Sequence, residues 1–138
     1  MTMALKTSNI FVNVPVKNLD ASKLFFEKVG FEFNPQFTDE KAACMVLGDN
    51  IFVMLLVESY FRSFINKEIA DASSTTEVIL AISADSREHV DEIVSRAFAA
   101  GAKEYNEPTD HGFMYAWSFE DLDGHLWEIT YMDPSSYQ

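Results

Sequence analysis

In DLDGHLWEITY, residues 121–131, a single carboxylate, Glu128, stands inside an apolar run just after a turn. A carboxylate so placed can ligate a metal, move a proton, or anchor a polar group of a ligand. Desolvation by apolar neighbours disfavours its charged form, which is the condition for acid–base work near neutral pH. The plainer alternative is a bond to a nearby hydroxyl or amide and nothing more. The histidines compete poorly. His125 follows Gly124 in the turn, and His89 lies beside Glu88 and Asp91 in the first turn of a helical segment, so both read as solvated. His111, in Asp110-His-Gly-Phe-Met-Tyr115 after Pro108, is a better candidate for a polar pocket partner, because loops at strand mouths often carry specificity. Tyr115 in the same stretch is the aromatic expected to face a ligand, while Trp117, Phe119 and Trp127 read as core.

Strands and turns must position these groups. Residues 10–16 (IFVNVPV) read as a strand. Asn18 or Asp20 then caps a helix through Lys28, with Leu24, Phe25 and Val29 at helical spacing and Gly30 as its stop. Phe25 and Phe26 together are too wide for one buried stripe, so one ring is expected to meet another surface. Strands follow at 31–37, 42–47 and, after Gly48-Asp-Asn50, at 51–57.

The same order returns after residue 76. A strand at 77–83 leads to a capping box in which Asp85 accepts and Glu88 reaches back. Val90, Ile93, Val94, Ala97 and Phe98 form the buried face of the helix that follows, and Gly101 ends it. Strands at 102–105 and 113–120 precede the Asp121-Leu-Asp-Gly124 turn and a last strand at 126–131. Registering Val16-Lys-Asn-Leu on Ala84-Asp-Ser-Arg gives an offset of 68, and Asn50 on Gly124 an offset of 74. The fold class is therefore α+β: one domain over residues 1–138, made of two tandem βαβββ modules at 8–58 and 77–133. Residues 59–76 join them through an aromatic short helix and a Ser/Thr-rich tail. Tyr60, Phe61 and Phe64 there are placed to close over a pocket or to meet a second subunit.

A formal net charge of −12 repels phosphate backbones and anionic lipid, so neither nucleic acid nor membrane is expected as a partner. Aromatics at 14%, twelve of them Phe, suit a lined interior or pocket. Cys44 is the single cysteine and lies in an apolar run, which reads as a buried thiol in a reducing compartment. MTMALKTSN lacks the apolar stretch of a secretory signal, and the apolar run at 51–57 is too short to span a bilayer. A cytoplasmic protein is expected.

The segments VPVKNLDASKLFFEKVGFEF and DLDGHLWEI resemble the vicinal oxygen chelate superfamily, which contains glyoxalase I, extradiol dioxygenases, fosfomycin-resistance transferases and bleomycin-binding proteins. The resemblance runs through both modules and implies a curved mixed sheet whose concave face holds the site. It also implies a homodimer. In metal-using members each module gives one ligand from its first strand and one from its last, and the equivalent positions here are Phe11, Met54, Ile79 and Glu128. Three of these offer no donor suited to a hard or borderline divalent ion. The expectation is thus no metal and no other cofactor, which disfavours lactoylglutathione lyase and ring-cleaving activities. Phe11, Met54 and Ile79 instead become apolar walls around Glu128. Asn13 shares a strand face with Phe11, and Thr130 with Glu128, by the period of two.

Two functions fit these residues. One is a metal-independent protein binding a small organic ligand, cationic or amphiphilic, in an aromatic cavity anchored by Glu128. The alternative is a metal-free lyase or isomerase with Glu128 as catalytic general base, assisted by Asn13 or His111. A dimeric structural module is the third class.

Overall fold

β-Branched and aromatic residues in alternating order make Ile10–Val16 the first strand, β1. The computed structural model describes residues 3–136; Met1 and Thr2 of the N-terminal stretch lie outside them. Asn18 opens α1 (Leu19–Val29) as expected, its Oδ1 accepting from the amide of Ala21 at 3.0 Å. Next come β2 (Glu32–Asn34), β3 (Ala42–Gly48), β4 (Ile51–Val57) and α2 (Glu58–Arg62). The second module contains β5 (Ile79–Ser83), α3 (Arg87–Ala99), β6 (Lys103–Glu104), β7 (Thr109–Asp110), β8 (Met114–Glu120) and β9 (Leu126–Met132).

Two mixed sheets realise the α+β class, one from each module. The first has the order β1-β4-β3-β2, with β1 parallel to β4 and the other pairs antiparallel. The second has the order β5-β9-β8-β6, with β5 parallel to β9, and β7 also pairs with β8. The two sequence offsets carry one sheet's register onto the other's. Phe11 pairs with Phe52, and adding 68 and 74 gives Ile79 and Leu126, which also pair.

The chain divides into two compact units: residues up to Lys23 with Phe31–Ile69, and Leu24–Gly30 with everything from Ala70 onward. The second half of α1 therefore belongs to the second unit. There the Phe26 ring lies 5.2 Å from Trp127, and Phe25 lies 6.2 Å from Phe119. Both phenylalanines are buried, so neither ring is left for another surface. Burying each stabilises the unit by roughly 1.5–3 kcal/mol. α3 adds Val90, Ile93, Val94 and Ala97 to the core. Leu24 does not join it: the residue is 53% exposed, and the buried positions of α1 are Leu19, Ser22, Phe25, Phe26 and Val29.

Two local readings shift. The cap of α3 is Ser86, one residue later than expected, with its hydroxyl accepting from the His89 amide. The group reaching back is His89, whose Nδ1 accepts from the Asp85 amide at 3.0 Å, so Glu88 has no part in the box. The expected strand at 31–37 stops at Asn34, because Pro35 opens a 3₁₀ turn at Pro35–Phe37.

Candidate functional site

The first unit carries a cavity of about 370 Å³. Its floor is the sheet face that shows Asn13 of β1, Ala42 of β3, and Met54 and Leu56 of β4. Asn13 and Met54 are register partners, so their side chains share that face. One wall is the segment Gln36, Phe37, Thr38 and Asp39; the other is Tyr60 and Phe64.

Side-chain bonds to backbone hold the first wall. Asn34 Oδ1 accepts from the Gln36 amide (2.9 Å), and the Thr38 hydroxyl donates to the Asn34 carbonyl (2.8 Å). The same hydroxyl accepts from the Cys44 amide (3.1 Å), tying the turn to β3. Asp39 Oδ1 accepts from the amides of Lys41 (2.8 Å) and Ala42 (3.0 Å). On the opposite wall Tyr60 and Phe64 meet edge to face at 5.0 Å, and the Lys41 ammonium sits 5.9 Å from the Tyr60 ring centre. The wall at 36–39 escaped the sequence reading, although Asn34-Pro35 is a turn signal that argued against a strand continuing through it.

Of the expected pocket residues, Asn13 and Met54 line this cavity. Phe11 stacks flat on Phe52, with ring centres 4.8 Å apart, and stays 53% exposed. The others lie in the second unit. Glu128 is half-buried and accepts a hydrogen bond from the Thr130 hydroxyl at 3.2 Å. Its register partners are Ala81 on β5 and Ser118 on β8. Directly across the strands its neighbours are therefore small, while Leu126 shares its face two positions along β9. Ile79 shares its face two positions along β5 and is 53% exposed.

Tyr115 is a correction. It alternates with Trp117 and Phe119 on β8, on the face opposite to that of Ser118 and Glu128. Its hydroxyl donates to Asp91 of α3 at 2.6 Å, and that carboxylate, with burial, pushes the phenol pKa up to about 12. Tyr115 thus fastens strand to helix. The Arg87 guanidinium lies 5.3 Å from the Tyr115 ring centre and donates to Asp110 Oδ2 (2.6 Å) and to the Gly112 carbonyl (2.8 Å). His111 sits in this exposed loop, its amide donating to the Met114 carbonyl and its ring 6.3 Å from Phe113.

The DLDGH turn holds a buried acid that the sequence reading passed over. Asp121 is 4% exposed. Its Oδ1 accepts from the amides of Asp123 and His125, and its Oδ2 accepts from Trp127 Nε1, each at 3.0 Å. Burial pushes this carboxyl above its ordinary range, against the charge of His125 and these hydrogen bonds. Its role is to lock the turn that leads into β9 and Glu128.

The four positions that the resemblance makes equivalent to metal ligands are poor in donors. Phe11 and Ile79 carry no donor atom, Met54 offers a thioether, and Glu128 is a lone carboxylate. Among the described residues no group of three His, Cys, Asp or Glu side chains is gathered to hold a metal ion. No helix among them is long and apolar enough to cross a membrane.

Residues 10–129 match the model of the Glyoxalase/Bleomycin resistance protein/Dioxygenase superfamily. No curated protein matches the chain. Among solved structures, the hypothetical protein SA1046 from S. aureus is 26% identical, with a TM-score of 0.77, covering 91% of this chain and 95% of that one. A glyoxalase/bleomycin resistance protein/dioxygenase family enzyme from Burkholderia phytofirmans is 18% identical, with a TM-score of 0.73 over 88% of this chain and 96% of that one. Lactoylglutathione lyase from Agrobacterium tumefaciens shares the fold at 16% identity and a TM-score of 0.67, over 91% of this chain and 94% of that one.

Proposed function

From the premise that the chain belongs to the Glyoxalase/Bleomycin resistance protein/Dioxygenase superfamily, we propose that it binds a small organic ligand without the help of a metal. The observation that carries this reading is the cavity of about 370 Å³ on the first unit, lined in part by Met54, which the resemblance makes equivalent to a metal-ligand position. A thioether, two amides and three aromatic rings there favour contact with carbon and hydrogen-bonding groups over coordination. Glu128, in the second unit and held by the Thr130 hydroxyl, is proposed separately as an anchoring carboxylate on the face of that unit's own sheet. The protein acts as a homodimer in a reducing, cytoplasmic setting; exposed Ile10, Phe11 and Ile51 on one unit and Val78 and Ile79 on the other support an apolar contact.

Native mass spectrometry with elemental analysis, on protein purified without added metal or nickel resin, tests this. The expected result is a dimer mass, no stoichiometric metal, and a retained organic adduct or one acquired from a compound panel. One tightly held divalent metal per chain would overturn it. A second reading, a metal-free lyase or isomerase with Glu128 as general base, is favoured by the small neighbours Ala81 and Ser118, which leave that carboxylate reachable. Glu128→Gln separates the two: a binder loses affinity a few-fold, whereas an acid–base enzyme loses nearly all turnover.

A further inference from the structure

We infer that the cavity of the first unit selects a small, flat aromatic cation, with Asp39 as its charge partner and the rim aromatics as its stacking surface; this rests on the ligand-binding role proposed for that cavity. The first support is the placement of the rings. Phe37 and Phe64 line the cavity yet remain 64% and 65% exposed. Large apolar rings normally go to the core, so two kept at one cavity mouth form a surface for a flat guest.

The second support is charge. Asp39 is the one charged side chain among the lining residues; Asn13, Gln36 and Thr38 are neutral. Its Oδ1 is occupied by the amides of Lys41 and Ala42, which fixes the carboxylate and leaves Oδ2 to meet a guest. A cation gains from that oxygen and from aromatic faces together. The Tyr60 ring already meets the Lys41 ammonium at 5.9 Å, so Phe37 and Phe64 are the faces left for a guest. An anion meets repulsion from Asp39 and finds no lysine or arginine among the lining residues.

The third support is size. About 370 Å³ lies at the low end of the roughly 300–1,000 Å³ typical of small-molecule sites. A guest of one or two fused rings fits within it.

The test uses a matched set of bicyclic probes: 1-methylquinolinium, a permanent cation; quinoline, uncharged at neutral pH; and quinoline-2-carboxylate, an anion. Each is titrated into full-length protein at low salt and followed by amide chemical shifts. The cation is expected to bind about five- to tenfold tighter than quinoline, and the anion weakest. Shifts should centre on Thr38, Asp39, Met54 and Tyr60.

Asp39→Asn keeps Oδ1 as acceptor for the two amides and removes only the charge, so quinoline binding should hold while the cation's advantage disappears. Should that variant misfold, raising the salt on the unaltered protein gives the same readout, and Phe64→Leu, at an exposed position, should weaken all three probes. Equal binding of cation and quinoline at these residues would overturn the charge selection and leave the cavity reading intact. Absence of binding, or shifts elsewhere, would overturn both.

Discussion

Replacing Asp121 by Asn tests the claim that a buried carboxylate, not the turn sequence alone, sets the entry into β9. The change is isosteric, and one amide oxygen can still accept from the backbone amides of Asp123 and His125. The new NH₂ group then faces Trp127 Nε1, a donor in a side chain that is fully buried. A hydrogen bond to a charged acceptor, about 1.5–3 kcal/mol, is lost, and a buried donor is left unsatisfied at about 1–3 kcal/mol. Opposing this, a desolvated charge disappears, the same desolvation that raises the carboxyl's pKa.

The net expectation is a loss of about 2 kcal/mol at neutral pH, or a fall in Tm of roughly 5–10 °C for a chain of this length. The sign of the pH dependence follows from the raised pKa. The folded state holds the Asp121 proton more tightly than the unfolded chain does. This group's contribution to stability is therefore fullest below the ordinary aspartate pKa and is lost as pH rises through the folded value. The gap between the native protein and Asp121→Asn should accordingly be widest in acid and narrow toward neutral pH. Urea unfolding followed by tryptophan fluorescence at several pH values measures it. A variant as stable as the native protein at every pH would show that the three hydrogen bonds do no more than offset the buried charge, and would refute the reasoning.

Other outcomes follow from the same geometry. Gly124→Ala places a Cβ at φ 91° and 2.8 Å from the Ala72 carbonyl oxygen, so it should cost at least about 1 kcal/mol, read as a lower urea midpoint. In a spectrophotometric titration of the native protein, the Tyr115 phenol should ionise only near pH 12, and Asp91→Asn should bring it back toward the ordinary tyrosine range. Arg87→Ala removes the donors to Asp110 and Gly112, so amides from Asp110 to Met114 should exchange faster while those of β9 stay protected.

Much of the architecture could be read from the sequence because repetition is insensitive to small local errors. The offsets of 68 and 74, taken from turns and helix starts, also carry the strand pairing of β1 with β4 onto β5 with β9. Local choices between chemically equal neighbours fared less well. Asp85 and Ser86 can both cap a helix, and only the chain's path selects Ser86. Leu24 and Phe26 sit two apart in α1, and their ranking depends on which surface the helix meets: Phe26 finds Trp127, while Leu24 faces outward. Tyr115, at the end of the Asp110–Tyr115 stretch, is the aromatic that the sequence offers to a ligand. The β8–β9 register, which no single strand reveals, turns it to the helix side. The cavity wall at 36–39 depends on Asn34 and Thr38 bonding to backbone across the turn, a pattern spread over too few residues to show periodicity.

That α1 is divided between the two units bears on how the chain is made. Phe25 and Phe26 are synthesised well before the rings that cover them: Phe119 follows Phe25 by 94 residues, and Trp127 follows Phe26 by 101. Through most of that interval the nascent chain carries two bare phenylalanines on a helix whose partner strands do not yet exist. Such contacts, distant in sequence, slow folding and lengthen exposure to aggregation. Cutting the gene in the linker would not yield two self-sufficient halves: the downstream fragment would lack part of its own core, and the upstream one would carry that part uncovered. The two repeats are separable on paper, but the helix of the first completes the core of the second.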